Sequence, residues 1–198
     1  DTTVNSSPTD ISGQGNHGAF YNGASYSAAD KAFSSFSGSN YIIANLSGAS
    51  GAYAHTQSYW VNGADTTPRA AFTVGKDVST TREFLNMWFT TSKWVMNIDG
   101  FGFQYAETIY DNQWYHLTVT YDGGSVQGSY KFYVNGEYKT PTSVDSASSF
   151  NSLNLPSNPE VRIGRNNGTQ HYIGMVSNPK IYNVALEPSE VQKLYRLG

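Results

Sequence analysis

The chain contains no cysteine, so disulfides contribute nothing to its stability, and one clue to its compartment is missing. Charge is also scarce. Charged residues make up 14% of the sequence, against roughly 25% in an average soluble domain. Gly, Ser, Asn, Thr and Tyr take that share, so the surface relies on neutral hydrogen-bonding groups. The net charge is −3 with no basic cluster, which removes the electrostatic footprint of a nucleic-acid binder. No apolar run approaches the roughly 20 residues that a membrane helix requires, so no membrane insertion is expected. No proline run, charge block or low-complexity tract interrupts the middle, which argues for a single domain over residues 1–198. There is no signal peptide, and the chain starts at Asp1 instead of Met. We read it as a mature product or a domain cut from a longer polypeptide. Three sequons, at Asn5, Asn45 and Asn167, fit chance in a chain so rich in Asn, Ser and Thr.

Aromatic residues are plentiful: 15 Tyr, 10 Phe and 4 Trp. Most are expected in a core, because a sandwich needs bulky inward side chains. Short strand candidates recur along the chain. They include 41–44, 58–62, 69–74, and a hairpin of 84–89 with 94–98 across 90–93. Residues 101–110 alternate imperfectly. Residues 114–122 alternate well, with Trp114, His116, Thr118 and Thr120 on one face and Tyr115, Leu117, Val119 and Tyr121 on the other. Asn135-Gly136 is a strong two-residue hairpin signal, since both residues tolerate positive φ. Strands at near-regular spacing between turn signals mean an all-β sandwich or barrel. Two helical pieces are expected. One is short, around Ser27 to Ala32. The other is terminal, with Pro188 near its first position and Val191, Leu194 and Tyr195 on one packing face.

Four segments then carry a resemblance. They are Asp10 to Gly18 with Asn22 to Ala24; Gln113 to Asp122 with Phe132 to Gly136; Val161 to Gly164 with Ile173-Gly174; and Lys180 to Asn183 followed by Leu186 and Ser189 to Val191. In order and separation they resemble the laminin-G-like, concanavalin-A-like jelly-roll superfamily. The resemblance implies two packed antiparallel sheets, one concave and one convex, with first and last strands adjacent and a short C-terminal helix. It also implies a module of larger surface proteins, including virion proteins of large viruses and phages. Its localisation would then be extracellular or on a virion surface.

The same superfamily holds glycan binders and glycan-cleaving enzymes. Its hydrolases carry a Glu-x-Asp-x-x-Glu strand, because residues i and i+2 share a face and hydrolysis needs two carboxyls about 5–9.5 Å apart. No such i, i+2 acid pair occurs here. Glu107 and Asp111 would lie roughly 13 Å apart on one strand. Glu83, Asp99 and Glu107 sit on neighbouring strand candidates, where they read as solvated strand-end acids. The four histidines, His17, His55, His116 and His171, show no metal-type spacing; a structural role is expected for His116. No Gly-x-Ser-x-Gly motif supports a nucleophilic serine. Gly13 and Gly15 open no βα unit, so they do not read as a phosphate loop.

Many relatives hold a structural calcium. Carried over by position, its ligands here would be Asp10, the Gly38 carbonyl and Ser177. Ser177-Asn178 replaces the acid of many relatives, and calcium wants six to eight oxygens including carboxylates. The competing role for Asp10 is to cap the turn at residues 11–13. For a glycan surface, the candidates are Arg82, Trp88, Trp94 and Tyr105 on the central strands, with a second cluster at Tyr53, His55 and Tyr59. Trp60 and Trp114 are assigned to the core. The leading expectation is a non-catalytic module that binds a glycan or a surface protein. The alternatives are an assembly module with no glycan ligand and a divergent glycoside hydrolase or lyase.

Overall fold

The computed structural model describes residues 3–4, 7–37, 39–63, 69–75, 84–90, 93–98, 101–106, 110, 112–145, 152–166 and 171–198. In chain order the strands are β1 (Thr3–Val4), β2 (Ser7–Pro8), β3 (Ala19–Tyr21), β4 (Ser25–Ser27), β5 (Ala32–Ser37) and β6 (Tyr41–Asn45). Next come β7 (His55–Gly63), β8 (Arg69–Gly75), β9 (Phe84–Thr90), β10 (Lys93–Ile98), β11 (Phe101–Ala106) and β12 (Trp114–Tyr121). A 3-10 turn at Gln127–Ser129 precedes β13 (Tyr130–Val134), β14 (Glu137–Lys139), β15 (Ser143–Asp145), β16 (Glu160–Ile163) and β17 (Ile173–Tyr182). Helix α1 (Pro188–Arg196) closes the chain.

These strands form an eight-stranded sheet, ordered β15-β11-β10-β9-β8-β16-β6-β3, and a seven-stranded sheet, ordered β14-β13-β12-β7-β17-β5-β4. The short β1–β2 ribbon stands apart. The ladders are antiparallel, as in β7–β12 and β9–β10. The expected jelly-roll sandwich is therefore present. The last strand does not lie beside the first: β17 inserts between β7 and β5.

Alternation in each sheet sends one set of side chains into the gap between them. Aromatic pairs then join the sheets. Tyr59 of β7 stacks on Phe72 of β8 at 4.9 Å, Trp94 of β10 meets Tyr115 of β12 edge-on at 5.3 Å, and Tyr105 of β11 lies 4.6 Å from Phe132 of β13. Each such pair contributes about 0.5–1.5 kcal/mol beyond the area it buries. A polar pair is sealed within this core. His55 donates from Nδ1 to the Tyr53 carbonyl at 2.8 Å, which leaves Nε2 to accept from the Gln57 amide at 3.2 Å. Burial holds the His55 pKa down at about 4, against the opposing pull of its bond to Tyr53.

The outer face of the seven-stranded sheet is covered by the C-terminal segment. Thr56 donates its hydroxyl to the Val184 carbonyl at 2.8 Å and accepts from the Leu186 amide at 2.9 Å. Pro188 begins α1, and the Glu190 carboxylate accepts from the Glu187 amide at 2.8 Å. Val191 is fully buried, and Tyr195 stacks on Trp60 at 5.7 Å. Trp60 and Trp114 are thus half-buried on this outer face instead of deep in the core. His116 lies beneath α1, 5.1 Å from Trp60, with Nε2 2.9 Å from the Ser58 hydroxyl.

The Asn135-Gly136 signal holds. Val134 opposes Glu137, and the two turn residues take φ of 51° and 77°. The helix expected at Ser27 to Ala32 is a hairpin instead. Residues Ser25–Ser27 pair with Ala32–Ser34, and Lys31 takes φ 52° in the turn. The Ser27 hydroxyl donates to the Asp30 carboxylate and accepts from its amide, a side-chain turn that competes with helix formation.

Candidate functional site

Two places on the described surface have the makings of a binding site, and both are built on β6. The first is on its outward face. Tyr21 of β3 opposes Tyr41 of β6, and their rings stack at 4.9 Å with planes 6° apart. The Arg165 guanidinium carbon lies 4.2 Å from the Tyr41 ring centroid. One face of Tyr41 cannot hold both neighbours, so the order is Arg165, Tyr41, Tyr21. Among the described residues no ring or cation covers the far face of Tyr21, which is 40% exposed at the edge of the sheet. The turn after Tyr21 is pinned, with Asn22 donating to the Ser39 carbonyl at 3.0 Å and Asn40 donating to the Asn22 carbonyl. Other exposed tyrosines lack such a clamp. Tyr138 meets Tyr133 only edge-on, and Tyr110, 61% exposed, has no ring partner among the described residues.

The second place is a cleft of about 450 Å³ between the sheets. Its floor includes Phe33, Ile42, Phe72 and Ile163, all buried. Its rim includes Asp10, Asn16, Asn45, Lys180 and Tyr182. Burial works to raise the Asp10 pKa, but hydrogen bonds from Ser12 and Asn16 and the nearby His17 outweigh it and hold it below the usual value. The Asp10 oxygens accept from the Ser12 amide at 2.8 Å and the Asn16 amide at 2.9 Å, which is the turn-capping role. Ser177 donates its hydroxyl to the Lys31 carbonyl at 2.7 Å, and Gly38 lies outside the described residues. No group of three acid or histidine ligands occurs among the described residues. Of the expected donors Asp10 is the one carboxylate, where calcium takes six to eight oxygens.

Of the expected glycan residues, Trp94 of β10 and Tyr105 of β11 lie directly opposite each other, but facing inward. Trp94 and Tyr105 are 1% and 2% exposed, because they share the inward face with Met96 and Phe103; they are core and present no ring face to a ligand. His55 and Tyr59 are fully buried, which also removes the second cluster. Trp88 sits in β9 opposite Val95, but its side chain, like the whole of Arg82, lies outside the described residues. So do Glu83, Asp99, Glu107 and Asp111. The Ser58–His116 contact is buried beneath α1, and the His116 Nδ1 has no hydrogen-bond partner among the described residues. A nucleophilic serine needs access and an oriented base, and this pair has neither.

Sequence reading missed Tyr21, Tyr41 and Arg165. The available signal was Ala19-Phe-Tyr before the Asn22-Gly23 turn, which marks a strand end. What it could not supply was the pairing of β3 with β6 or the return of Arg165 over Tyr41.

A family model described as the concanavalin A-like lectin/glucanases superfamily, of laminin G type, matches residues 36–192. A sequence search of curated proteins finds no match. Among solved structures, domain 4 of AbnA, a GH43 extracellular arabinanase of Geobacillus stearothermophilus in complex with arabinotriose, superposes with TM-score 0.66 at 18% identity, covering 90% of this chain and 88% of that one. The CBM40 of a Ruminococcus gnavus IT-sialidase bound to α2,3 sialyllactose gives 0.55 at 12%, covering 72% and 83%. The receptor binding domain of botulinum neurotoxin C/D mosaic serotype gives 0.66 at 18%; it covers 95% of this chain, which spans 48% of that domain. At such identities these likenesses concern the fold alone. With the family match spanning most of its length and both sheets of the sandwich in place, the chain belongs to the concanavalin A-like lectin/glucanase superfamily.

Proposed function

We propose that the protein is a non-catalytic carbohydrate-binding module of a larger surface protein, cellular or virion-borne. The observation that carries this reading is the Arg165–Tyr41–Tyr21 stack with its open outer ring face. A sugar ring offers an apolar C–H face to an aromatic ring and hydroxyls to polar neighbours. A ring already clamped from behind loses little freedom when a ligand stacks on it. The charge-poor composition supports a surface that binds by neutral hydrogen bonds. Solved relatives of this fold that hold arabinotriose and sialyllactose support the same class of ligand.

The test is a glycan array followed by calorimetry on the best hit. Tyr21→Ala is expected to weaken binding about tenfold, the equivalent of roughly 1–1.5 kcal/mol of stacking. Tyr110→Ala, which alters an exposed and unclamped ring, should leave it unchanged. Full affinity in Tyr21→Ala would remove this site. A blank array across algal, bacterial and animal glycans would favour an assembly module instead.

A further inference from the structure

We propose that the cleft between the sheets is a second binding site, which takes the hydrocarbon part of an amphiphile and leaves its uncharged polar head at the rim. The gap has a structural origin. Strand β17 pairs with β5 as far as Val176 opposite Phe33, but β17 continues to Tyr182. Past a bulge at 178–179, Lys180 to Tyr182 keep β7 on one side, and among the described residues no strand flanks the other. On the facing sheet β6 and β16 run on. The N-terminal segment lies across this opening, with Asp10 and Asn16 at the rim.

The volume, about 450 Å³, is far larger than the voids of a packed core and falls in the range of small-molecule pockets. Its floor comes from both sheets and is apolar, so water there finds few of the two to four polar partners that hold an ordered molecule. Hydrocarbon replaces such water favourably. The rim is different. Its one carboxylate, Asp10, already accepts two backbone amides, and Asn16 Oδ1 accepts from the Ser47 amide at 3.0 Å. Asp10 and Lys180 cancel in charge. Such a rim suits hydroxyls or ethers more than an ionic head.

An extended peptide suits this place poorly. The free side of β17 begins with Asn178 at φ 51° and Pro179, which has no N–H, so a regular ladder cannot be added there. The edge tyrosines lie on the other face of β6, and the proposal does not depend on them.

The experiment compares octyl β-D-glucopyranoside, kept below its micellar concentration, with methyl β-D-glucopyranoside. Both are titrated into the whole chain by calorimetry and by methyl NMR. The octyl compound is expected to bind at least tenfold tighter and to shift the methyls of Ile42, Ile163 and Ile181. It should do so equally in Tyr21→Ala, which separates this site from the glycan surface. Ala44→Phe, which fills the cleft, should abolish the effect. Equal affinity for the two glucosides, octyl binding that leaves those three methyls unmoved, or undiminished binding to folded Ala44→Phe would each overturn the proposal. If Ala44→Phe does not fold, the methyl shifts of the unaltered chain decide.

Discussion

Between pH 6.5 and pH 4 the protein is expected to lose stability steeply, with no comparable loss between pH 8 and 6.5. Burial holds both His55 and His116 at about 4 in the folded state, His116 also feeling the charge of Lys180. Both groups start from 6.5. Above 6.5 the folded and unfolded chains both carry neutral imidazoles, and pH has no leverage. Below it the unfolded chain takes up two protons that the fold refuses, so stability falls with falling pH. The loss is complete near pH 4. At about 1.4 kcal/mol per pH unit of separation, each histidine costs about 3 kcal/mol. The two together approach the whole stability of an ordinary domain, about 5–15 kcal/mol. Asp10 adds a further loss at lower pH, since its depressed pKa stabilises the fold only while the carboxylate is ionised. Urea unfolding in steps from pH 8 to pH 4 measures the slope. His116→Asn should remove roughly half of it. A flat profile through pH 5 would show that the two imidazoles charge freely in the folded chain.

Gly174→Ala is expected to destabilise by roughly 4 kcal/mol or more, beyond the common range for a single substitution. Gly174 takes φ 141°, and an added Cβ would lie 2.2 Å from the Asn62 carbonyl oxygen and 2.7 Å from the Gly63 Cα. Those are backbone atoms of β7, the central partner of β17. They cannot step aside without opening the ladder that holds the sheet together. Gly164 is a second site of this kind: at φ 88° its Cβ would meet the Phe36 ring at 2.4 Å and the Asn40 carbonyl at 3.1 Å. Gly128→Ala, with nothing within 4 Å, is the control and should change stability by under about 0.5 kcal/mol. Thermal unfolding of the three variants settles the order. A Gly174→Ala protein as stable as Gly128→Ala would mean that β17 is free to shift.

These glycines mark how far the sequence could be read. Val161 to Gly164 and Ile173-Gly174 were recognisable as strand ends of a family pattern, but the need for glycine lies in the close approach of Phe36 and Asn62, distant in sequence. The same divide runs through the molecule. The faces of β12, the Asn135-Gly136 hairpin and the Pro188 helix start are set by neighbours within a few residues, and all three were legible. The Trp94 and Tyr105 assignments failed because alternation shows which residues share a face but not which face is inward. The edge platform was invisible for a related reason. Tyr21, Tyr41 and Arg165 meet only after β3, β6 and the stretch following β16 come together. At Ser27 to Ala32 two local signals competed, and the side-chain turn at Ser27 prevailed over helix.

The position of β17 has a consequence for how the molecule comes into being. This strand, residues 173–182, joins β7 to β5 in the middle of the seven-stranded sheet. Until it is in place, β5 and β7 each present an unsatisfied edge, and the sheet exists only as two fragments. A chain emerging from the ribosome stays in that open state until residues 173–182 appear, since domains complete as their last pairing partner is made. Closing such distant pairs is slow. The sandwich is thus a latch whose bolt is made last, and the nascent chain is most prone to mispairing just before residue 173 arrives.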